Sequence, residues 1–313
     1  MPSTDRVLVT GAAGFIGSHL CRRLVADGTT VVGLDDLSGG TLENLRDVPE
    51  VALVQADLVD EAAVASAARG CGAIFHHGAK LSVPWSMEFP GVTTDVNVRG
   101  TMNVLAAAHE VGAVVVMASS SAVYGDQDSF PLRESMAPKP RSPYAASKLA
   151  LEVYGAAWGR AYGVPAVSLR YFNVYGPRQD PESDYAAVIP RFAVACLTGG
   201  RPQVHGDGEQ SRDFVYIDDV VEANLCASRR AADMAGEAIN VGGGASVTVN
   251  RLLELIAAEC GVTPDPVHTP SRPGDVRTSE ADVSLARDLI AFRPRVGIEE
   301  GVKRTVDWFR GRA

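Results

Sequence analysis

Two short clusters carry residue types suited to moving a proton. The first is Tyr144 and Lys148, in Ser142-Pro143-Tyr144-Ala145-Ala146-Ser147-Lys148. A separation of four positions is about one helical turn, so both side chains share a helix face. An ammonium beside a phenol favours the phenolate and turns a normally protonated tyrosine into a usable base. The second is Ser119-Ser120-Ser121, which ends the apolar run Val114–Met117. A hydroxyl at such a strand end can hydrogen-bond a reacting oxygen. Alone, a Tyr-x-x-x-Lys pair is an ordinary surface pair; it becomes chemistry beside a redox group.

A place for that group precedes it in the chain. Val7–Thr10 runs directly into Gly11-Ala12-Ala13-Gly14-Phe15-Ile16-Gly17, a G-x-x-G-x-x-G turn between a strand and a helix. Glycines there let the backbone turn tightly and approach a pyrophosphate, whose charge sits on the helix N-terminus. Asp35 lies 18 residues after Gly17, at the end of the second strand-like run, where a carboxylate accepts hydrogen bonds from the adenine ribose. Asp36 beside it would repel a 2′-phosphate, and no arginine follows. NAD is therefore expected rather than NADP. Asp57 and Leu58 close the third run and are candidates for the adenine edge, or simply a strand end.

The first half of the chain supplies the elements that must position these groups. Short β-branched runs appear at Val7–Thr10, Thr30–Leu34, Val51–Gln55, Ala73–Phe75, Ala113–Ala118 and Pro165–Leu169. Stretches with helical spacing lie between most of them, at Ile16–Ala26, Ala62–Ala68, Val96–Glu110 and Tyr144–Tyr162. Such alternation predicts an α/β fold, a doubly wound parallel Rossmann-type sheet. After Gly176 prolines and glycines become frequent, which predicts a smaller, irregular α+β unit. The expected division is residues 1–175 for the cofactor and 176–313 for the substrate. Phe214–Cys226 reads as a helix, and the segment of about 214–241 is a candidate to return to the first unit.

Composition excludes several classes. The chain has 313 residues, 46% hydrophobic and 21% charged, as an ordinary globular protein does. The longest apolar run, Ala113–Ala118, is far shorter than the roughly 20 residues that span a bilayer. No membrane association is expected, and Met1–Arg6 has no signal-peptide character. A net charge of −9 disfavours nucleic acid. Five cysteines without a Cys-x-x-Cys suggest neither disulfides nor a zinc site, and a cytoplasmic location is the default. His76 and His77, adjacent on a strand, face opposite sides, so no metal is expected. Gly242-Gly243-Gly244 follows a strand-like run and reads as a turn rather than a phosphate cradle.

Together, Gly11–Gly17, Ser119–Gly125 (SSSAVYG), Tyr144–Lys148, Leu169–Pro177 (LRYFNVYGP), Arg212–Asp219 (RDFVYIDD) and Arg272–Asp275 (RPGD) make the chain resemble the extended short-chain dehydrogenase/reductases. Within them it resembles the UDP-hexose 4-epimerases, over essentially its whole length. The resemblance implies Tyr144 as catalytic base, with Lys148 as its partner and a ligand of the nicotinamide ribose. It implies Ser120 as the catalytic hydroxyl and Ser121 as a second donor. Tyr171 and Phe172 would surround the nicotinamide carboxamide, and Asn97 with the loop His77–Ser82 would wall the cofactor. Toward a UDP-sugar it implies Ser82, Tyr124 and Asn173, a diphosphate clamp of Arg212 and Arg272, and Asp275 at the uridine ribose. Bidentate arginine–phosphate pairing suits such a clamp.

The resemblance also separates reactions. The 4,6-dehydratases carry an Asp-Glu pair after the catalytic Ser/Thr, and the UDP-glucuronate decarboxylases a Glu just before the Val. Ser121 and Ala122 stand there in this chain, so no acid or base is supplied for elimination. A 4-keto sugar that is simply reduced again gives epimerisation. The expected activity is thus NAD-dependent UDP-hexose 4-epimerisation, with UDP-glucuronate or UDP-N-acetylglucosamine as alternative substrates. Ser279 stands where a tyrosine restricts some epimerases to unmodified hexoses; it leaves room for an N-acetyl group unless other side chains refill the space. Arg191 could meet a C6 carboxylate or be a solvated helix arginine. Bacterial UDP-glucuronate epimerases tend to place Thr at the position of Asn173 and Arg at that of Asp180, and this chain departs from both. A redox sensor without turnover is the competing class, but such sensors often lose the Tyr/Lys pair. Relatives join two long helices per subunit in a four-helix bundle, so a homodimer through about Val92–Glu110 and Tyr144–Tyr162 is expected. Ala106-Ala107-Ala108 and Ala156-Ala157 would allow close packing there, or on the sheet.

Overall fold

A computed structural model describes residues 5–181, 187–271 and 277–312. The strands are β1 (Arg6–Thr10), β2 (Thr30–Asp35), β3 (Ala52–Gln55), β4 (Ala73–His76), β5 (Val114–Ser120), β6 (Ala166–Tyr171), β7 (Asn173–Tyr175), β8 (Gln203–His205), β9 (Ser211–Tyr216), β10 (Ala235–Val241), β11 (Ser246–Thr248), β12 (Val267–Thr269) and β13 (Thr278–Ser279). The helices are α1 (Phe15–Ala26), α2 (Glu61–Ala68), α3 (Val83–Glu88), α4 (Pro90–Thr94), α5 (Gly100–Val111), α6 (Pro143–Tyr162), α7 (Val188–Leu197), α8 (Ile217–Arg230), α9 (Val249–Cys260), α10 (Ser284–Ile290) and α11 (Ile298–Arg310).

The β-branched runs build one seven-stranded parallel sheet in the order β10-β6-β5-β4-β1-β2-β3. Its side chains alternate between two apolar layers, as the strand period of two requires. Val7, Val9 and Val116 join Leu20 and Leu24 of α1 and Val220 of α8 on one face. Leu8, Val115 and Met117 join Val64 of α2, Leu105 of α5 and Leu151 of α6 on the other. After β3 the chain jumps back past β1 to β4, so the connections diverge between β1 and β4. A crevice opens at the carboxyl ends of strands at such a reversal. The glycine turn, Gly78 and the serines all lie at these strand ends. Among the described residues no helix is long and apolar enough to cross a membrane.

Beyond β6 the chain builds β7, β8 and β9, and then α8 and β10 bring it back to the edge of the large sheet. β7 lies just inside the 1–175 segment but pairs with β9 rather than with the large sheet. The helix read over Phe214–Cys226 begins only at Ile217; Phe214–Tyr216 are strand. These three residues are buried and paired with β7, and Asp218 and Asp219 supply the negative first turn that helix starts favour. The helix read over Val96–Glu110 is interrupted too, by a π-helical turn at Asp95–Arg99 ahead of α5. In that turn Asn97 reaches out to hold both backbone groups of Lys80.

One buried ion pair links α6 to β6. Arg170 donates from Nε (2.9 Å) and Nη2 (2.7 Å) to the two carboxylate oxygens of Glu152, with side chains only 5% and 7% exposed. Ser119 Oγ donates to the same carboxylate. Removing one member of such a pair strands the other charge, whereas replacing both with apolar groups is often neutral. Arg170→Met is therefore expected to cost about 3–5 kcal/mol in denaturant unfolding, and Glu152→Met in the same chain to recover most of it. A loss under about 1 kcal/mol for Arg170→Met would contradict this.

Candidate active site

The turn after β1 is shaped by close backbone approach. Gly11 has φ +68°, and a Cβ on it would lie 2.7 Å from the backbone nitrogen of Gly78. A Cβ on Gly17 would lie 2.0 Å from the carbonyl oxygen of Gly11. Gly14 caps α1 without a side-chain acceptor, so first-turn N–H groups are available to an anion. Asp35 is buried, and its two oxygens accept from the backbone N–H of Ala13 (2.9 Å) and Leu37 (2.8 Å). Burial raises its pKa, and each oxygen keeps a further lone pair for a ribose hydroxyl. Burial pushes Asp36 up, but bonds from Ser38 and the Lys80 ammonium outweigh it and leave its pKa lowered. Asp57 accepts from the Val59 N–H at 3.0 Å, and Leu58 packs beneath Gly78 and Gly100. The glycine cradle, the helix start and the buried carboxylate together fit a dinucleotide.

The proton-handling groups meet across the crevice. Ser142 caps α6 by accepting from the Ala145 N–H at 3.1 Å, and Pro143 sets its first turn. The Tyr144 N–H is anchored on Ser86 Oγ at 3.1 Å. One turn on, Lys148 donates to the Ala118 carbonyl at 2.7 Å, with its ammonium 6.0 Å from the centre of the Tyr144 ring. Ser120, at the end of β5, acts on the Tyr144 phenol and opposes the rise that burial gives it, and its Oγ accepts from the Ala122 N–H. Ser121 is half-buried at the start of the 3₁₀ turn Ser121–Tyr124.

The phenol is not acidified as its spacing from Lys148 suggests. Burial raises the pKa of Tyr144, and the Ser120 bond only partly opposes it. Burial also lowers Lys148, to about 8. Desolvation penalises both charged forms here, and the ammonium is lost at a lower pH than the phenol proton. Below about pH 8 Lys148 is charged and Tyr144 neutral.

Other expected wall residues are packed as struts. Asn97 is buried; it donates to the Lys80 carbonyl (3.0 Å) and to Ser147 Oγ (2.9 Å), and Ser147 donates to the Tyr144 carbonyl (2.7 Å). The Tyr171 hydroxyl lies within a buried set with His77 Nε2 (3.1 Å) and Asn224. Tyr124 does not line an open pocket. Its side chain is fully buried beneath the Arg170 guanidinium, and its hydroxyl donates to Asn240 at 2.7 Å. Phe172 joins it in a small apolar cluster with Leu132 and Ala281. Ser82 caps α3 through the Trp85 N–H at 3.0 Å. His76 sits between Thr10 and Thr101, and burial lowers both His76 and His77, to about 3 and about 4. Neither is charged at neutral pH.

Toward the substrate side, Asn173 donates to the Asp213 carbonyl at 2.8 Å, and Arg212 of β9 stands in register with Ser279 of β13. Arg191 lines a cleft of about 440 Å³ with Phe192, Arg201, Gln203 and His205, and donates to Gln203 at 3.2 Å. Arg272 and Asp275 lie outside the described residues. The sequence reading missed Asp213, whose carboxylate accepts from the N–H groups of Gly243, Gly244 and Ala281. The triglycine is thus a turn and an anion nest, but the anion is the chain's own. A buried acid next to Arg212 and a triglycine downstream were the available signals.

Residues 7–242 match the model of the NAD dependent epimerase/dehydratase family. The chain belongs to that family. The dinucleotide for which the groove is built is NAD. This epimerase/dehydratase is 41% identical to a UDP-glucose 4-epimerase of Mycolicibacterium smegmatis, over 98% of this chain and 99% of that one. Among solved structures it superposes at TM-score 0.93 on the Thermotoga maritima UDP-glucose 4-epimerase with UDP-glucose, with 36% identity over 98% and 99% of the chains. It superposes at 0.92 on a UDP-N-acetylglucosamine 4-epimerase of Methanobrevibacter ruminantium in complex with UDP-N-acetylmuramic acid, with 40% identity over 98% and 99%.

Burial raises Asp213 from 3.8 to about 6. The folded state then holds this proton more tightly than the unfolded chain, so the contribution to stability is complete below pH 3.8 and is lost as pH rises through about 6. The interval corresponds to roughly 3 kcal/mol. Asp213→Asn is expected to flatten the dependence of unfolding free energy on pH across that window; an unchanged slope would contradict the assignment.

Proposed function

We propose that this family member is an NAD-dependent UDP-hexose 4-epimerase of the UDP-glucose/UDP-galactose type, working through a 4-keto sugar. The observation that carries the reading is what converges at the end of β5. Ser120, Tyr144 and Lys148 come together there, while Ser121 and Ala122 put no carboxylate beside them for an elimination. Similarity to named UDP-glucose 4-epimerases over nearly the whole chain supports the same reading.

Ser120 would hold the sugar O4 and Tyr144 take its proton. Lys148, fixed on Ala118, would hold the cofactor ribose and keep a positive charge beneath the phenol. When bound, NAD supplies the hydride acceptor and donor and, oxidised, a positive ring that favours the phenolate. Arg212 and Arg272 would grip the diphosphate while the flat keto sugar turns about its linkage and offers its other face. Tyr144 would then return the proton. A site that grips diphosphate more firmly than sugar permits that turn.

Ser279 favours a second reading. It is small where a tyrosine restricts some epimerases to unmodified hexoses, and it stands in register with Arg212, so UDP-N-acetylglucosamine is a candidate substrate. Arg191, over its cleft, keeps UDP-glucuronate as the remaining alternative.

We also propose a homodimer. Met87 (62%), Phe89 (42%), Val92 (45%), Val153 (60%) and Tyr162 (57%) leave large apolar side chains exposed along α3, α4 and α6. Ala107 and Ala108 face the sheet instead, so any pairing would use the outer side of α5 and α6.

Incubation with UDP-glucose, UDP-glucuronate and UDP-N-acetylglucosamine separately, with products resolved by chromatography, should give the 4-epimer of at least one. NADH should not accumulate. Tyr144→Phe should lower turnover by about 10²–10⁴-fold with the fold intact. An unchanged rate, or NADH formed in step with product, would refute the reading. Light scattering should give twice the 33.0 kDa chain mass, and a monomer at micromolar concentration would refute the dimer.

A further inference from the structure

Lys148 and Glu152 are both buried on α6 and lie four residues apart, the spacing at which an ammonium and a carboxylate on one helix face join. Each goes elsewhere. Lys148 donates to the Ala118 carbonyl at 2.7 Å. Glu152 gives one oxygen to Arg170 Nε (2.9 Å) and the other to Nη2 (2.7 Å), and Ser119 Oγ adds a third bond. A buried ammonium gains more from a carboxylate than from a neutral carbonyl. Lys148 therefore stays on Ala118 because Glu152 is already taken. Arg170 is well placed to take it. It stands in register with Ser119 across β5 and β6, and its guanidinium lies 4.8 Å from the centre of the Tyr124 ring. The Tyr124 hydroxyl is fixed on Asn240 of β10 at 2.7 Å. With only 5% and 7% of the two side chains exposed, water cannot replace the guanidinium.

We propose that Arg170 is a positioning residue for the proton-handling pair: by engaging both oxygens of Glu152 it denies that carboxylate to Lys148 and keeps the ammonium on Ala118, one turn from Tyr144. The inference rests on the reading of Tyr144 and Lys148 as the working pair. Without the guanidinium, Lys148 turns back along its own helix to Glu152 and takes its charge away from the phenol. That capture has a titration signature. Burial sets Lys148 in the natural chain and lowers it to about 8. A carboxylate partner favours the ammonium and raises it again. Neighbouring groups do not mask the change. His76 and His77 of β4 are neutral above about pH 4, and burial raises the phenols Tyr124, Tyr144 and Tyr171. The charges on the other elements packed against α6 are exposed and screened: Glu88 of α3, Asp95 and Arg99 of the π-helical turn, His109 and Glu110 of α5, and Glu237 of β10.

The chain has four lysines, Lys80, Lys139, Lys148 and Lys303. Lysine labelled with carbon-13 at Cε therefore resolves Lys148, identified by its loss in Lys148→Met. In protein loaded with NADH, Lys148 should titrate about 1–3 pH units higher in Arg170→Met than in the natural chain. Arg170→Met combined with Glu152→Met removes the competing carboxylate as well, and Lys148 should then titrate near its natural value. A purely structural role for the pair would not separate these two variants, since both lack the guanidinium. Turnover of whichever UDP-sugar the natural chain accepts should fall about 10²-fold in Arg170→Met and by less in the double variant. Should Arg170→Met fail to fold by thermal melt, Arg170→Gln, which bonds Glu152 without neutralising it, carries the same comparison. An unmoved Lys148 in the folded Arg170 variant would overturn the proposal. So would a Lys148 that titrates lower in the double variant, which would make Glu152 its partner already. If the natural chain turns over no UDP-sugar, the functional reading fails and the titration still decides the role of Arg170.

Discussion

Lys148, 2% exposed, places its ammonium against the carbonyl of Ala118 at the end of β5, and the rest of the site depends on that contact. Burying a cation is expensive, so the helix cannot drift from the strand end without leaving a charge unsatisfied. Tyr144, one turn earlier, is thereby held over Ser120. Glu152, one turn later, takes Ser119 and Arg170. Three side chains at four-residue spacing on α6 meet three consecutive residues of β5. The geometry of proton transfer is thus set by a helix packed on a strand end.

The same burial decides the electrostatics. Charge is disfavoured on the phenol and on the lysine alike, so the resting pair below about pH 8 is neutral tyrosine over ammonium. This suits a base required only when substrate and oxidised cofactor are both in place. A phenolate standing free in the resting site would take a proton from water before it met a sugar. Partial burial makes the ionisation of Tyr144 answer to nearby charge more strongly than it would in solvent.

Much of this could be read in the sequence because it is local. The β-branched runs became strands within a residue or two, and the four-residue step from Tyr144 to Lys148 became one shared face. What escaped is long-range. Nothing in the chain marks Glu152 and Arg170, 18 residues apart, as partners inside the core, and the triglycine alone does not tell that its anion is Asp213, 30 residues before it. Periodicity over Phe214–Cys226 does not show where a strand hands over to a helix, because the apolar run Phe214–Ile217 crosses the boundary; the acidic pair Asp218-Asp219 was the signal that marks the helix start. Tyr124 looks like a pocket residue by its motif, yet Asn240 from β10 and Arg170 from β6 close around it.

The central claim is that Tyr144 is a half-buried phenol whose ionisation is governed by the charge beside it. Tyrosine labelled with carbon-13 at Cζ reports that ionisation directly, with the Tyr144 resonance identified by its loss in Tyr144→Phe. Titration of the protein loaded with NAD⁺ should show Tyr144 ionising at lower pH than in the same protein loaded with NADH, where the nicotinamide carries no positive charge. Coincident titration curves for the two forms would contradict the account.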